Sequence, residues 1–83
     1  MNNYTLYIKD ITSKINLQII INSSFTVKDL KDEISKKLDN DLYPCLFRLV
    51  HNGQSLENNL DIYLEESTIK SEDTLHIMFV LNP

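Results

Sequence analysis

An α+β fold, with one helix packed across a mixed sheet of four to five strands, is what this sequence predicts. Three observations carry the prediction. Runs with a hydrophobic period of two stand near both ends of the chain. A single stretch with helical periodicity and a capping sequence lies between them. An Asn52-Gly53 pair joins two further β-type runs, the strongest short-range hairpin signal a sequence offers.

Tyr4, Leu6 and Ile8 alternate with Thr5, Tyr7 and Lys9, so residues 4–9 read as a half-buried first strand. The polar run Asp10-Ile11-Thr12-Ser13-Lys14 breaks the alternation, and Leu17, Ile19 and Ile21 resume it as the second strand of a hairpin. Thr26 and Asp29 then form a capping-box spacing, in which the Thr oxygen accepts a free backbone N–H and the carboxylate faces the positive helix end. Val27, Leu30, Ile34 and Leu38 recur at spacings of three and four, which predicts a helix over 27–38 with one apolar stripe. Asp32/Lys36 and Glu33/Lys37 are favourable pairs one turn apart on its exposed side. Asp39-Asn40-Asp41 ends the helix, and Tyr43-Pro44 forces an extended path. Phe47, Leu49 and His51 alternate with Arg48 and Val50 as a third strand, followed after the turn by a short Ser55-Leu56 strand. Residues 57–73 are acidic and irregular, with Leu60, Ile62, Leu64 and Ile69 placed to lie under the loop and a short helical turn expected among them. Leu75, Ile77, Phe79 and Leu81 form the last strand, parallel to the first and beside it in the middle of the sheet.

Eighty-three residues make one domain, 1–83, near the lower size at which a single core folds alone. With 42% hydrophobic and 24% charged residues the chain belongs with globular rather than disordered sequences. A net charge of -4 argues against nucleic acid, whose phosphates demand clustered Lys and Arg. No apolar run reaches membrane-spanning length, so no membrane partner is expected. The single cysteine, Cys45, requires no oxidising compartment, and cytosol or nucleus is the default expectation. The chain is expected to act as a monomer.

Candidate chemistry is sparse. Cys45 with His51 or His76 could be a nucleophile and base, yet no third orienting group is evident and a structural thiol is the better reading. The spacing of these residues also lacks the paired ligands of a metal site. Asp61, Glu65 and Glu66 read as a solvated acidic loop, and one glycine, Gly53, rules out a glycine-rich phosphate loop. No enzyme activity, cofactor or metal is expected. The alternation points elsewhere: if Leu49, Leu75, Ile77 and Phe79 face the helix, then Val50, His76, Met78 and Val80 face outward. An outer sheet face is normally polar, so an apolar strip on two strands marks an interaction surface, and Ile11 at the hairpin tip could extend it.

The ordered set Thr26-Val27-x-x-Leu30-Lys31-x-x-Ile34, Tyr43-Pro44, Arg48-Leu49-Val50-x-x-Gly53-x-x-Leu56-Glu57 and Thr74-Leu75-His76-Ile77 resembles ubiquitin over essentially the whole chain, with extra residues confined to predicted loops. The resemblance implies the ubiquitin-like β-grasp fold. Asn22-Ser23-Ser24 and residues 31–36 look closest to the N-terminal ubiquitin-like domain of ubiquilin-type shuttle proteins, which would make this chain one module of a longer one.

The resemblance places the ubiquitin recognition patch on Ile11, Val50, His76 and Met78, with Arg48 and Gly53 on flanking positions. It implies as partners the helical ubiquitin-binding elements known as UIM and UBA, ubiquitin receptors and proteasome subunits, and so an adaptor in the ubiquitin-proteasome pathway of a eukaryotic cell. It does not imply conjugation. The terminal glycine pair is missing, Pro83 stands where the first of those glycines would align, and the two main linkage lysines fall on Gln54 and Ser71. Two alternatives stay open: a regulator docking on a different machine, such as a splicing or chaperone complex, and a regulatory domain of a larger ligase or deubiquitinase.

Overall fold

The computed structural model describes residues 2–10, 15–38 and 47–79. The expectations placed on Ile11, Tyr43-Pro44, Cys45, Val80, Leu81 and Pro83 lie outside them. Strand β1 (Asn3–Asp10) pairs antiparallel with β2 (Asn16–Asn22), as the alternating pattern requires. Helix α1 (Val27–Lys37) follows, then β3 (Phe47–His51), β4 (Gln54–Ser55) and β5 (Thr74–Phe79). The sheet order is β2-β1-β5-β3-β4, so β5 lies centrally, parallel to β1 and antiparallel to β3. Asn52 and Gly53 have φ of 52° and 80°, the two left-handed residues that a type I′ turn demands between β3 and β4.

The start of α1 explains why the helix begins where it does. Thr26 Oγ1 accepts from Asp29 N–H at 3.1 Å while Asp29 Oδ2 accepts from Thr26 N–H at 3.0 Å, completing the capping box. The N–H groups of Val27 and Lys28 donate to the carbonyls of Ile62 and Leu60, at 3.0 and 2.9 Å. A helix leaves its first N–H groups without partners inside itself; here its own cap and the loop from the far half of the chain take them. Val27, Leu30 and Ile34 bury the predicted stripe against Leu6, Ile8, Ile19, Leu49, Leu75 and Ile77, and Leu38 packs partly against that core. Each fully buried aliphatic side chain contributes about 2 kcal/mol by transfer from water.

Four details depart from the sequence reading. The exposed helix pair that forms is Lys36 with Glu33, three residues apart at 3.4 Å. The short fourth strand is Gln54–Ser55, and Leu56 instead turns into the core. Phe79 stands 40% exposed because its cross-strand partner Phe47 fills the buried position, leaving the rings edge to face with centroids 6.5 Å apart. Ile62 is also exposed, since the helix engages its carbonyl and not its side chain, whereas Leu64 and Ile69 are fully buried beneath the loop as expected. Short 3₁₀ turns at Glu57–Asn59 and Leu64–Glu66 supply the helical character predicted for this segment.

The same loop brings a charge to the inside of the fold. Lys31 is buried on the helix, its ammonium 2.8 Å from Glu57 Oε1 and 5.2 Å from the centre of the Phe47 ring. The second oxygen, Glu57 Oε2, accepts from the Leu49 N–H of β3 at 3.1 Å. Removing Glu57 would strand a buried ammonium and a strand N–H, whereas replacing Lys31 with an apolar chain of similar length leaves a partly exposed carboxylate still bonded to the strand. Chemical denaturation is therefore expected to show Glu57→Ala losing about 3 kcal/mol and Lys31→Met about 1 kcal/mol or less. Equal losses would remove the buried charge as the reason for the asymmetry.

Candidate functional site

Alternation along β3 and β5 sends two sets of side chains to opposite faces. Phe47, Leu49 and His51 point into the core with Leu75 and Ile77, and Arg48, Val50, His76 and Met78 point out. Register then brings the outward set together: Val50 lies opposite His76 and Arg48 opposite Met78 across β3 and β5. On the other flank, Lys9 of β1 is the neighbour of His76. Val50 is half-buried, His76 exposed and Met78 45% exposed, so the strip is open to a partner. Gly53 sits exposed in the adjoining turn. Five of the six sequence-predicted positions, Arg48, Val50, Gly53, His76 and Met78, thus lie on one face or at its edge; Ile11 lies outside the described residues.

The structure adds a residue that the sequence reading did not place here. Lys9 and Arg48 stand on either side of the apolar centre, giving a cationic rim on a chain whose net charge is -4. Of the acidic residues in the loop before β5, Glu72 lines the same surface hollow as Lys9 and Thr74. The signal was available in the period-two reading of β1, which puts Lys9 outward; what it lacked was the parallel pairing that sets Lys9 beside His76.

His51 has a different role from either chemistry considered for it. It is buried, with Nε2 2.9 Å from Asp73 Oδ2 and Nδ1 3.3 Å from Thr68 Oγ1. A ring carrying its proton on Nε2 donates to the carboxylate and accepts from the hydroxyl, which satisfies both nitrogens. Asp73 Oδ2 also accepts from Lys70 N–H at 2.9 Å, closing the turn in which Glu72 takes a φ of 75°. That turn docks on β1: Glu72 N–H donates to Thr5 O at 2.6 Å and Tyr7 N–H to Asp73 O at 3.0 Å. The imidazole is a cross-link between β3 and the segment that launches β5. Among the described residues no group of His, Cys, Asp and Glu is arranged to hold a metal ion.

A mixed sheet in the order β2-β1-β5-β3-β4 crossed by one helix defines a ubiquitin-like β-grasp protein, and the profile described as Ubiquitin family matches residues 6–81. The chain belongs to the ubiquitin family. Its structure is similar to that of a ubiquitin from Caldiarchaeum subterraneum, with a TM-score of 0.83, 16% identity and 98% of each chain covered. At that identity the likeness speaks for the fold, and its source places the fold outside eukaryotes as well. A search of curated protein sequences found no match.

Disrupting the cross-link should be felt where β5 begins. Asp73→Ala leaves both the His51 Nε2 and the Lys70 N–H without their acceptor, at an expected cost of about 2 kcal/mol. Hydrogen exchange is expected to quicken first at Lys70, Glu72 and Tyr7. Unchanged exchange at these amides would show that the turn holds without the imidazole.

Proposed function

We propose that this chain is a ubiquitin-like interaction module that binds helical elements of ubiquitin receptors through the outer face of β3 and β5. The observation that carries the reading is the strip Val50, His76 and Met78, brought together by register and bordered by Lys9 and Arg48. An amphipathic helix laid across it would bury its apolar side chains on Val50 and Met78 and place flanking carboxylates at the two cations. Met78 suits such a surface because its unbranched thioether adapts to different shapes. The module would act as an adaptor in the ubiquitin-proteasome pathway, with UIM or UBA helices or proteasome subunits as partners, in the cytosol or nucleus, as in ubiquilin-type shuttles. No catalytic step is assigned to it.

A second reading, a regulatory domain with a private partner in a ligase, deubiquitinase, chaperone or splicing assembly, is favoured by a separate apolar group. Phe25 and Tyr63 are 44% and 49% exposed and Ile62 is 36% exposed. They are gathered by the Thr26–Tyr63 bridge and the Leu64 N–H bond to Phe25 O.

The two readings separate in one titration. Adding a ubiquitin-interacting helix to the isotopically labelled chain is expected to shift the amides of Val50, Gly53, His76 and Met78, with affinity of about 10–100 μM for a few buried side chains. Val50→Asp and Met78→Asp are each expected to weaken this binding at least about tenfold, the effect of losing roughly 1.4 kcal/mol, with amide dispersion intact. Binding retained in both variants would refute the surface; shifts confined to Phe25 and Tyr63 would favour the second reading.

A further inference from the structure

The β2 edge of the sheet carries an inference of its own. Ser23 N–H donates to Asn2 O at 2.8 Å, one step beyond the Asn3–Asn22 pair in the antiparallel ladder. In such a ladder hydrogen-bonded pairs alternate with non-bonded ones. The bonded pairs are therefore Ile21 with Tyr4, Ile19 with Leu6 and Leu17 with Ile8. It follows that the backbone groups of Asn16, Gln18 and Ile20 point away from β1, and no strand lies beyond β2 among the described residues.

Natural sheets protect such an edge with charge, proline, a bulge or brevity. The opposite edge, β4, is only Gln54–Ser55. β2 is seven residues, Asn-Leu-Gln-Ile-Ile-Ile-Asn, without a charged residue or proline, and its Ile20 is 65% exposed, the most exposed large apolar residue described. Its sequence is also self-complementary about Ile19. Laid antiparallel against a second copy, Gln18 falls opposite Ile20, Leu17 opposite Ile21, Asn16 opposite Asn22 and Ile19 opposite itself. The outward-pointing residues Gln18 and Ile20 become the bonded pairs, so backbone direction and side-chain match agree in one register. With no charge on the strand, no like charges meet on pairing.

We propose that β2 is a self-pairing surface through which two copies of this chain join into one continuous sheet, a departure from the monomer expected from sequence. The arrangement is a closed two-fold: each copy uses its single long edge, and the two-residue β4 gives further copies little to extend. This pairing is independent of the receptor-binding strip, which lies on β3 and β5 with β1 between.

Sedimentation equilibrium of the full chain tests it, from about 10 μM to about 1 mM, the range in which weak association becomes measurable. The expected result is a rise from the 9.7 kDa monomer to twice that mass. Amide exchange at Gln18 and Ile20 should slow as the dimer fills, while Val50 and His76 stay unchanged. The double substitution Gln18→Lys with Ile20→Lys sets like charges opposite one another and is expected to abolish the dimer. Gln18→Lys with Ile20→Glu sets opposite charges there and is expected to restore it. Both sites, Gln18 and Ile20, point to solvent in the monomer, and amide spectra will confirm that each variant folds. A mass of 9.7 kDa at every concentration, or a dimer that survives the two lysines, would overturn the proposal.

Discussion

A buried ammonium dictates which polar partners tie the helix, the sheet and the long loop of this fold together. Lys31 lies inside, between helix and sheet, and an isolated charge there would cost several kcal/mol. Glu57 answers it with one carboxylate oxygen and holds β3 by the Leu49 N–H with the other. One side chain thereby joins α1, β3 and the start of the long loop. At the loop's far end Asp73 performs the parallel task, binding the buried His51 of β3 and the Lys70 N–H of its own turn. Between these two anchors the loop gives its carbonyls to the first N–H groups of the helix. What looks like an irregular acidic segment is the set of partners that buried donors elsewhere in the chain require.

Those anchors also determine the outer face. A slip of one residue in β3 would exchange its two sets of side chains, moving Leu49 to solvent and Val50 to the core. Leu49 N–H held by Glu57 and the His51 ring held by Asp73 and Thr68 fix the strand at two points against such a slip. Val50 and Arg48 are consequently held outward opposite His76 and Met78, on rigid strands rather than on a loop. The polar contacts inside and the apolar strip outside are two consequences of a single register.

Elements with local causes were legible in the sequence. The capping box of Thr26 and Asp29, the left-handed pair Asn52-Gly53 and the period-two runs each depend on residues a few positions apart; the cap and the turn formed as read, and so did the runs over the described residues apart from Leu56, which left its strand for the core. The outward set of the candidate site followed from the same period. What escaped depends on distant pairing. Lys31 stands within the apolar stripe, four residues after Val27 and three before Ile34, but the partner that lets it be buried, Glu57, lies 26 positions on. His51 had no visible partner because Asp73 is 22 positions away. Lys9 joined the strip only through the parallel pairing of β1 with β5. Phe79 satisfied the period and still stood half outside, since periodicity assigns a face and not whether a larger neighbour already fills it.

The two surfaces proposed for this sheet bear on each other through geometry alone. In-plane antiparallel pairing has its two-fold axis perpendicular to the sheet, so both helices stay on one side and both Val50–His76–Met78 strips on the other. From β5 of one copy to β5 of the next the order is β5-β1-β2-β2-β1-β5. At about 4.8 Å per strand the two strips stand roughly 24 Å apart across the strands, and because His76 lies level with Asn16, three residues from the axis at Ile19, about 20 Å apart along them, so roughly 30 Å in all on a common face. A partner with two helices on a linker that spans this distance would gain from their effective concentration, whereas one short helix could reach only a single strip. An affinity of micromolar order at one strip is then no measure of the avidity of the pair, and the strength of recognition becomes a function of how much of the chain is paired through β2.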